Sequence, residues 1–101
     1  MNLSMLKQAM ELKSKMDKAQ KELAKVIIEV ESGRGAVKVS VNGQQKILSI
    51  KISPEVIDPN EAKNLEELVL KALNEALEKA NKIASKHLSG LAGDLKIPGL
   101  T

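Results

Sequence analysis

The chain is 101 residues long and 43% apolar, carries 16 basic and 13 acidic side chains for a formal charge of +3, and contains no Cys, Trp, Tyr or Phe. That composition excludes disulfide scaffolds, thiolate metal sites and thiol nucleophiles, and it removes base stacking on aromatic platforms. A single domain over residues 1–101 is what this length supports, and a core of Leu, Ile, Val, Met and Ala alone points to a helical protein that gains burial by associating.

Over residues 1–25 the apolar positions Met5, Ala9, Leu12, Met16, Ala19, Leu23 and Val26 alternate in steps of four and three, the pattern of a heptad seam. A helix is expected from Leu3 to about Lys25. Its seam contains two Ala and two Met, so it is narrow and adaptable.

The period then falls to two. Val26–Glu31, Ala36–Val41 and Ile47–Ile52 read as strands, giving a three-stranded antiparallel meander over residues 26–52. Gly33-Arg34-Gly35 reads as the first turn, and Asn42-Gly43 as a type I′ hairpin turn. Ser53-Pro54 ends the sheet. Asp58-Pro59-Asn60-Glu61 then has the order of a helix entry, with Asp58 as N-cap, Pro59 at N1 and Glu61 at N3.

A second helix is expected over residues 59–88, followed by a flexible tail over 89–101 with three Gly and a Pro. The apolar arc of this helix is about 160–200° wide, against about 100° for a helix with one buried face. It should therefore be buried against its own sheet and against a second subunit, with Leu70, Leu73, Leu77, Ala80 and Ala84 at the dimer interface.

Charge is segregated along the chain. Residues 1–25 carry +3, residues 26–52 +2, residues 53–78 −5 and residues 79–101 +3. Acids early and lysines late in the second helix suit its macrodipole. The second helix is longer than the sheet, so its overhang should pack antiparallel on the first-helix seam. That geometry is expected to bring Lys7, Lys13 and Lys15 together with Lys79, Lys82 and Lys86 as a basic arm. Arg34, the only Arg, is a further candidate phosphate contact at its turn. Lys in place of Arg favours phosphate attraction over bidentate base reading.

Catalysis finds no support. His87 is the only base of its type, no nucleophile-elbow pattern is present, and the carboxylates at Glu66-Glu67 and Glu75/Glu78 suit an acidic helix start. No catalytic residue, metal ligand set or cofactor is expected. No apolar run reaches a membrane span, and no signal-peptide order is seen at Met1–Lys7.

Glu31-Ser32-Gly33-x-Gly35-x-Val37-Lys38-Val39-Ser40-x-Asn42-Gly43 resembles the hairpin signature of the YbaB/EbfC nucleoid-associated proteins of bacteria. Glu55–Pro59, Leu65–Leu70 and Asn74–Leu77 resemble that family's second-helix region, and Ile97-Pro98-Gly99-Leu100 its end. The resemblance implies an α+β fold of order α-β-β-β-α forming a three-layer β/α/β homodimer with protruding helical arms. It further implies a cytoplasmic, nucleoid-bound protein whose partners are double-stranded DNA and itself. The chain lacks the family's Gly-rich leader and a terminal Phe.

The resulting expectation is a non-catalytic DNA-binding homodimer working mainly through Lys–phosphate contacts. The alternative is a protein-interaction module that grips a partner helix or a DNA-metabolism factor with its arms. Neither a membrane nor a small-molecule substrate is expected as a partner.

Overall fold

The structure, a computed structural model, describes residues 2–94. A first helix, α1 (Leu3–Lys25), leads into strands β1 (Ile27–Ser32), β2 (Val37–Asn42) and β3 (Ile47–Ile52). Two short 3-10 turns, Pro54–Val56 and Pro59–Glu61, then precede the long helix α2 (Ala62–Asp94). Solvation of the first turns is managed by side chains: the Asn2 carboxamide oxygen accepts from the Met5 N–H at 2.8 Å, and Asp58 accepts from the Asn60 N–H at 3.0 Å.

The strands form one antiparallel sheet in the order β1-β2-β3. Alternation decides its faces. Ile28, Val30 and Ser32 on β1 and Val37, Val39 and Val41 on β2 point inward and are buried. On the outer face Glu31 stands opposite Lys38, with their charged ends 3.8 Å apart. On β3, Ile52, Ile50 and Ile47 pair with Val37, Val39 and Val41, and Leu48 is the extra residue of a bulge.

α2 crosses β1 and β2 and presents to them a row of small residues, Ala72, Ala76 and Ala80, all fully buried. It leaves the inner face of β3 open, so Ile50 remains 43% exposed. Near the β1–β2 turn the Ser32 hydroxyl donates to the Leu68 carbonyl at 2.7 Å, pinning the start of α2 to that end of the sheet. No described helix is long and apolar enough to cross a membrane.

Both turns differ from the expected geometry in instructive ways. Asn42-Gly43 does not form a two-residue hairpin. The loop runs over four residues to β3, with positive φ at Gln45 (64°) rather than at Gly43. The Asn42 carboxamide oxygen accepts from the Gln44 and Lys46 N–H groups at 2.9 and 3.0 Å, which replaces the turn's own hydrogen bonding. Gly43 is needed instead for closeness. Its N–H donates to the Leu23 carbonyl at 2.9 Å, and a Cβ there would lie 2.6 Å from that oxygen. At the opposite turn Gly33, Arg34 and Gly35 all have positive φ, at 60°, 58° and 85°.

The expected tail also begins later than residue 89. α2 continues through Ser89 and Gly90 to Asp94, because an isolated Gly in a helix costs only about 1 kcal/mol relative to Ala and does not end it. The remainder of that tail, residues 95–101, lies outside the described residues.

The two glycines make a matched test. Gly43→Ala must push apart the β2–β3 loop and the last turn of α1, and is expected to destabilise by about 1–3 kcal/mol. Gly90→Ala meets nothing within 4 Å and is expected to gain up to about 1 kcal/mol from helix propensity. Thermal unfolding of both variants beside the parent measures the difference, and equal melting temperatures would remove the close-approach argument.

Candidate functional site

α1 enters the sheet at its C-terminal end and is held there by three contacts. Gly43 reaches the Leu23 carbonyl, the Gln44 side-chain amide donates to the Gln20 carbonyl at 2.9 Å, and His87 on α2 approaches Glu22. The His87 Nε2–Glu22 Oε2 distance is 3.0 Å, but the geometry is a close approach rather than an aligned hydrogen bond. Ala19 and Leu23 are the α1 seam residues that become buried. From the Glu22–His87 level, α1 extends about 28 Å back to Leu3, and α2 about 10 Å on to Asp94, at 1.5 Å per residue. The molecule measures 66 × 23 × 19 Å.

This register separates lysines that the sequence pattern was expected to unite. Lys7, Lys13 and Lys15 lie on the α1 side of the Glu22–His87 contact. Lys79 and Lys82 lie on the sheet side of it, so Lys7 and Lys79 are about 35 Å apart along the axis. Only Lys86, next to His87, is level with the last turn of α1. The reason is the depth at which α2 sits. Its overhang begins beyond Ala80, which is already part of the sheet contact. Arg34 is exposed at the opposite end of the sheet and joins neither group.

Within α2 the lysines are also partnered: Lys79 Nζ is 3.5 Å from Glu75 and Lys82 Nζ is 3.4 Å from Glu78, both exposed i,i+4 pairs. α1 is different. Its six lysines are exposed, and among the described residues none has a carboxylate within ion-pair distance.

Lys7, Lys18, Lys21 and Lys25 share the side of the helix turned away from Ala19 and Leu23, with Lys13 and Lys15 on its two flanks. Lys18, Lys21 and Lys25 were not among the expected contacts. Their spacing of three and four is readable in the sequence once the helical period is applied to charges as well as to apolar residues. Such a row attracts polyanions by charge and can lie along a phosphate backbone, but it has no geometry for bidentate base recognition.

The expected interface residues divide. Ala80 is 0% exposed and packs on the chain's own sheet, so it offers no surface to a partner. The helix rotates its alanines, not its leucines, towards the strands, because small side chains let the two backbones approach. Leu70 is 59% exposed, and Leu73, Leu77 and Ala84 are half-buried on the same flank of α2. With Ile52, Ile57, Leu65 and Val69 they border an apolar groove along the uncovered edge of β3. Among the described residues no cluster of His, Cys, Asp or Glu is arranged to hold a metal ion.

Comparison with known proteins adds three kinds of finding. A model of the YbaB/EbfC DNA-binding family matches residues 1–95. The chain is 44% identical over 96 residues to a nucleoid-associated protein of Pelotomaculum thermopropionicum, covering 95% of this chain and 91% of that one. It is 37% identical over 97 residues to a nucleoid-associated protein of Alkaliphilus metalliredigens, covering 96% and 85%. In fold it is similar to an uncharacterized protein of Helicobacter pylori, with a TM-score of 0.67 at 22% identity over 81% of this chain and 94% of that one.

The α2 ion pairs are surface decorations by this geometry. Glu75→Gln combined with Glu78→Gln is expected to shift stability by less than about 1 kcal/mol. Urea unfolding checks this, and a larger loss would show that Lys79 and Lys82 are committed to holding the helix.

Proposed function

The chain belongs to the YbaB/EbfC DNA-binding family, and we propose that it is a nucleoid-associated protein of the bacterial cytoplasm that binds duplex DNA as a homodimer, without catalysis. The observation that carries this reading is the set of exposed lysines on α1 with no carboxylate partner. Each such lysine retains its condensed-counterion exchange with a phosphate backbone, which supplies affinity without sequence information. Lys18, Lys21 and Lys25 form the centre of the contact, with Lys7 towards the N-terminal end and Lys13, Lys15 and Lys86 at its margins. Lys79, Lys82 and Arg34 contribute through long-range attraction.

The homodimer rests on the open edge of the core. A second copy laid against Leu70, Leu73, Leu77 and Ala84 would cover the β3 face that α2 does not reach, and the two α1 helices would then project as arms. Ala80 stays inside each protomer.

A mobility-shift titration across salt tests the electrostatics. Replacing Lys18, Lys21 and Lys25 together by Gln is expected to reduce the slope of log K against log salt by up to about 2.7, at about 0.9 per lost phosphate contact. Lys79→Gln with Lys82→Gln should change it by less than about 1. Binding that does not weaken with salt would overturn the mechanism.

For the dimer, Leu70→Asp with Ile50→Asp places charges at positions exposed in the protomer, so the fold is kept while association is lost. Sedimentation should show a monomer. A dimer that persists would move the interface elsewhere.

A further inference from the structure

We propose that the free stretch of the α1 seam, Met5, Ala9, Leu12 and Met16, is the docking face for an acidic amphipathic helix of another protein. α2 covers the seam only at Ala19 and Leu23. Towards the N-terminus Met5 is 59% and Met16 44% exposed, and no described residue lies over them. A lone helix of this length is marginal in water without tertiary packing. Two methionines, an alanine and a leucine at steps of four and three make a shallow, adaptable surface of the kind that accepts a helix.

Charge selects the occupant. Lys15 borders the seam on one side and Lys13 on the other, while the two acids of this stretch, Glu11 and Asp17, lie more than about 100° round the helix from the seam centre. A helix seated on Met5–Met16 therefore meets lysine on both flanks, and acidic residues beside its own apolar stripe would pair with them. A second copy of α1 fits poorly, since it would set Lys13 and Lys15 against their own equivalents. Residues 95–101 fit poorly too, because they carry Lys96 and no acid. DNA has no apolar face to offer a methionine seam, so this site does not depend on the DNA reading. The β3 groove lies beyond the sheet at the other end of the molecule, so a dimer formed there leaves the seam open.

The probe is a synthetic helical peptide of about three heptads with Leu at a and d and Glu at e and g, followed by fluorescence anisotropy against the full chain. A scrambled peptide of identical composition is the control. The helical peptide is expected to bind at least about tenfold more tightly than the scrambled one, a difference of about 1.4 kcal/mol.

Leu12→Gln with Met16→Gln should abolish that preference while leaving DNA affinity and the circular dichroism spectrum unchanged. Lys13→Glu with Lys15→Glu, which touches no packed residue, should weaken the peptide about tenfold or more. Equal binding of both peptides would reduce the effect to net charge and overturn the proposal. So would a parent that sediments above a dimer and returns to it in the Leu12/Met16 variant, which would assign the seam to a second copy. A peptide that binds only after removal of residues 95–101 would assign it to that segment and equally overturn the proposal.

Discussion

A three-stranded sheet is wider than a single helix can cover, and much of this molecule follows from that mismatch. Three strands at about 4.8 Å spacing present a face about 14 Å across, while a helix with its side chains is about 10 Å wide. α2 lies over β1 and β2, where Val37, Val39 and Val41 are sealed beneath it. β3 is then left with Ile47 and Ile50 half open. Larger side chains on α2 might be expected to spread the cover, yet the residues facing the strands are Ala72, Ala76 and Ala80. Small residues bring the helix close and make the contact tight but narrow. The leucines displaced from that row line its flank, and the core continues outward through them.

The same economy of size sets the direction of α1. Gly43 lets the β2–β3 loop touch the Leu23 carbonyl directly, and Gln44 reaches back to Gln20. These bonds are made to backbone carbonyls in the last turns of α1, four of which have no partner within their own helix. They fix where the helix ends and which way it leaves the sheet. With the Glu22–His87 approach as a third point, α1 has little freedom near the sheet, and its N-terminal half is carried away from everything else described.

Element order, strand faces and the helix entry at Asp58 were all legible in the sequence, because each depends on local period or local capping. What escaped was rotation and depth. An apolar arc about half the circumference of α2 does not say which part of it meets the strands, so Ala80 read equally well as interface or core until its burial was seen. The lysine grouping failed for a related reason. Net charge by segment is insensitive to how far one helix slides past another, and a shift of a few residues moved Lys79 and Lys82 beside the sheet. Asn42-Gly43 was read for the wrong property. The glycine serves contact with α1, and positive φ falls to Gln45 instead.

The consequence for α1 is that its two faces are exposed for different physical reasons. The lysine row is polar surface that water would satisfy equally well, so what it binds must bring charge and must respond to salt. The seam is apolar surface that water satisfies badly, so what it binds must bring area, and salt should matter only through the flanking lysines.

An acidic helix on the seam would neutralise Lys13 and Lys15, the margins of the phosphate contact, and leave Lys18, Lys21 and Lys25 untouched. The coupling between two such ligands is therefore unfavourable but modest, and by linkage DNA would weaken the helix by the same factor that the helix weakens DNA. Because that coupling is purely electrostatic, it should fade as salt rises, while the apolar part of the seam contact persists.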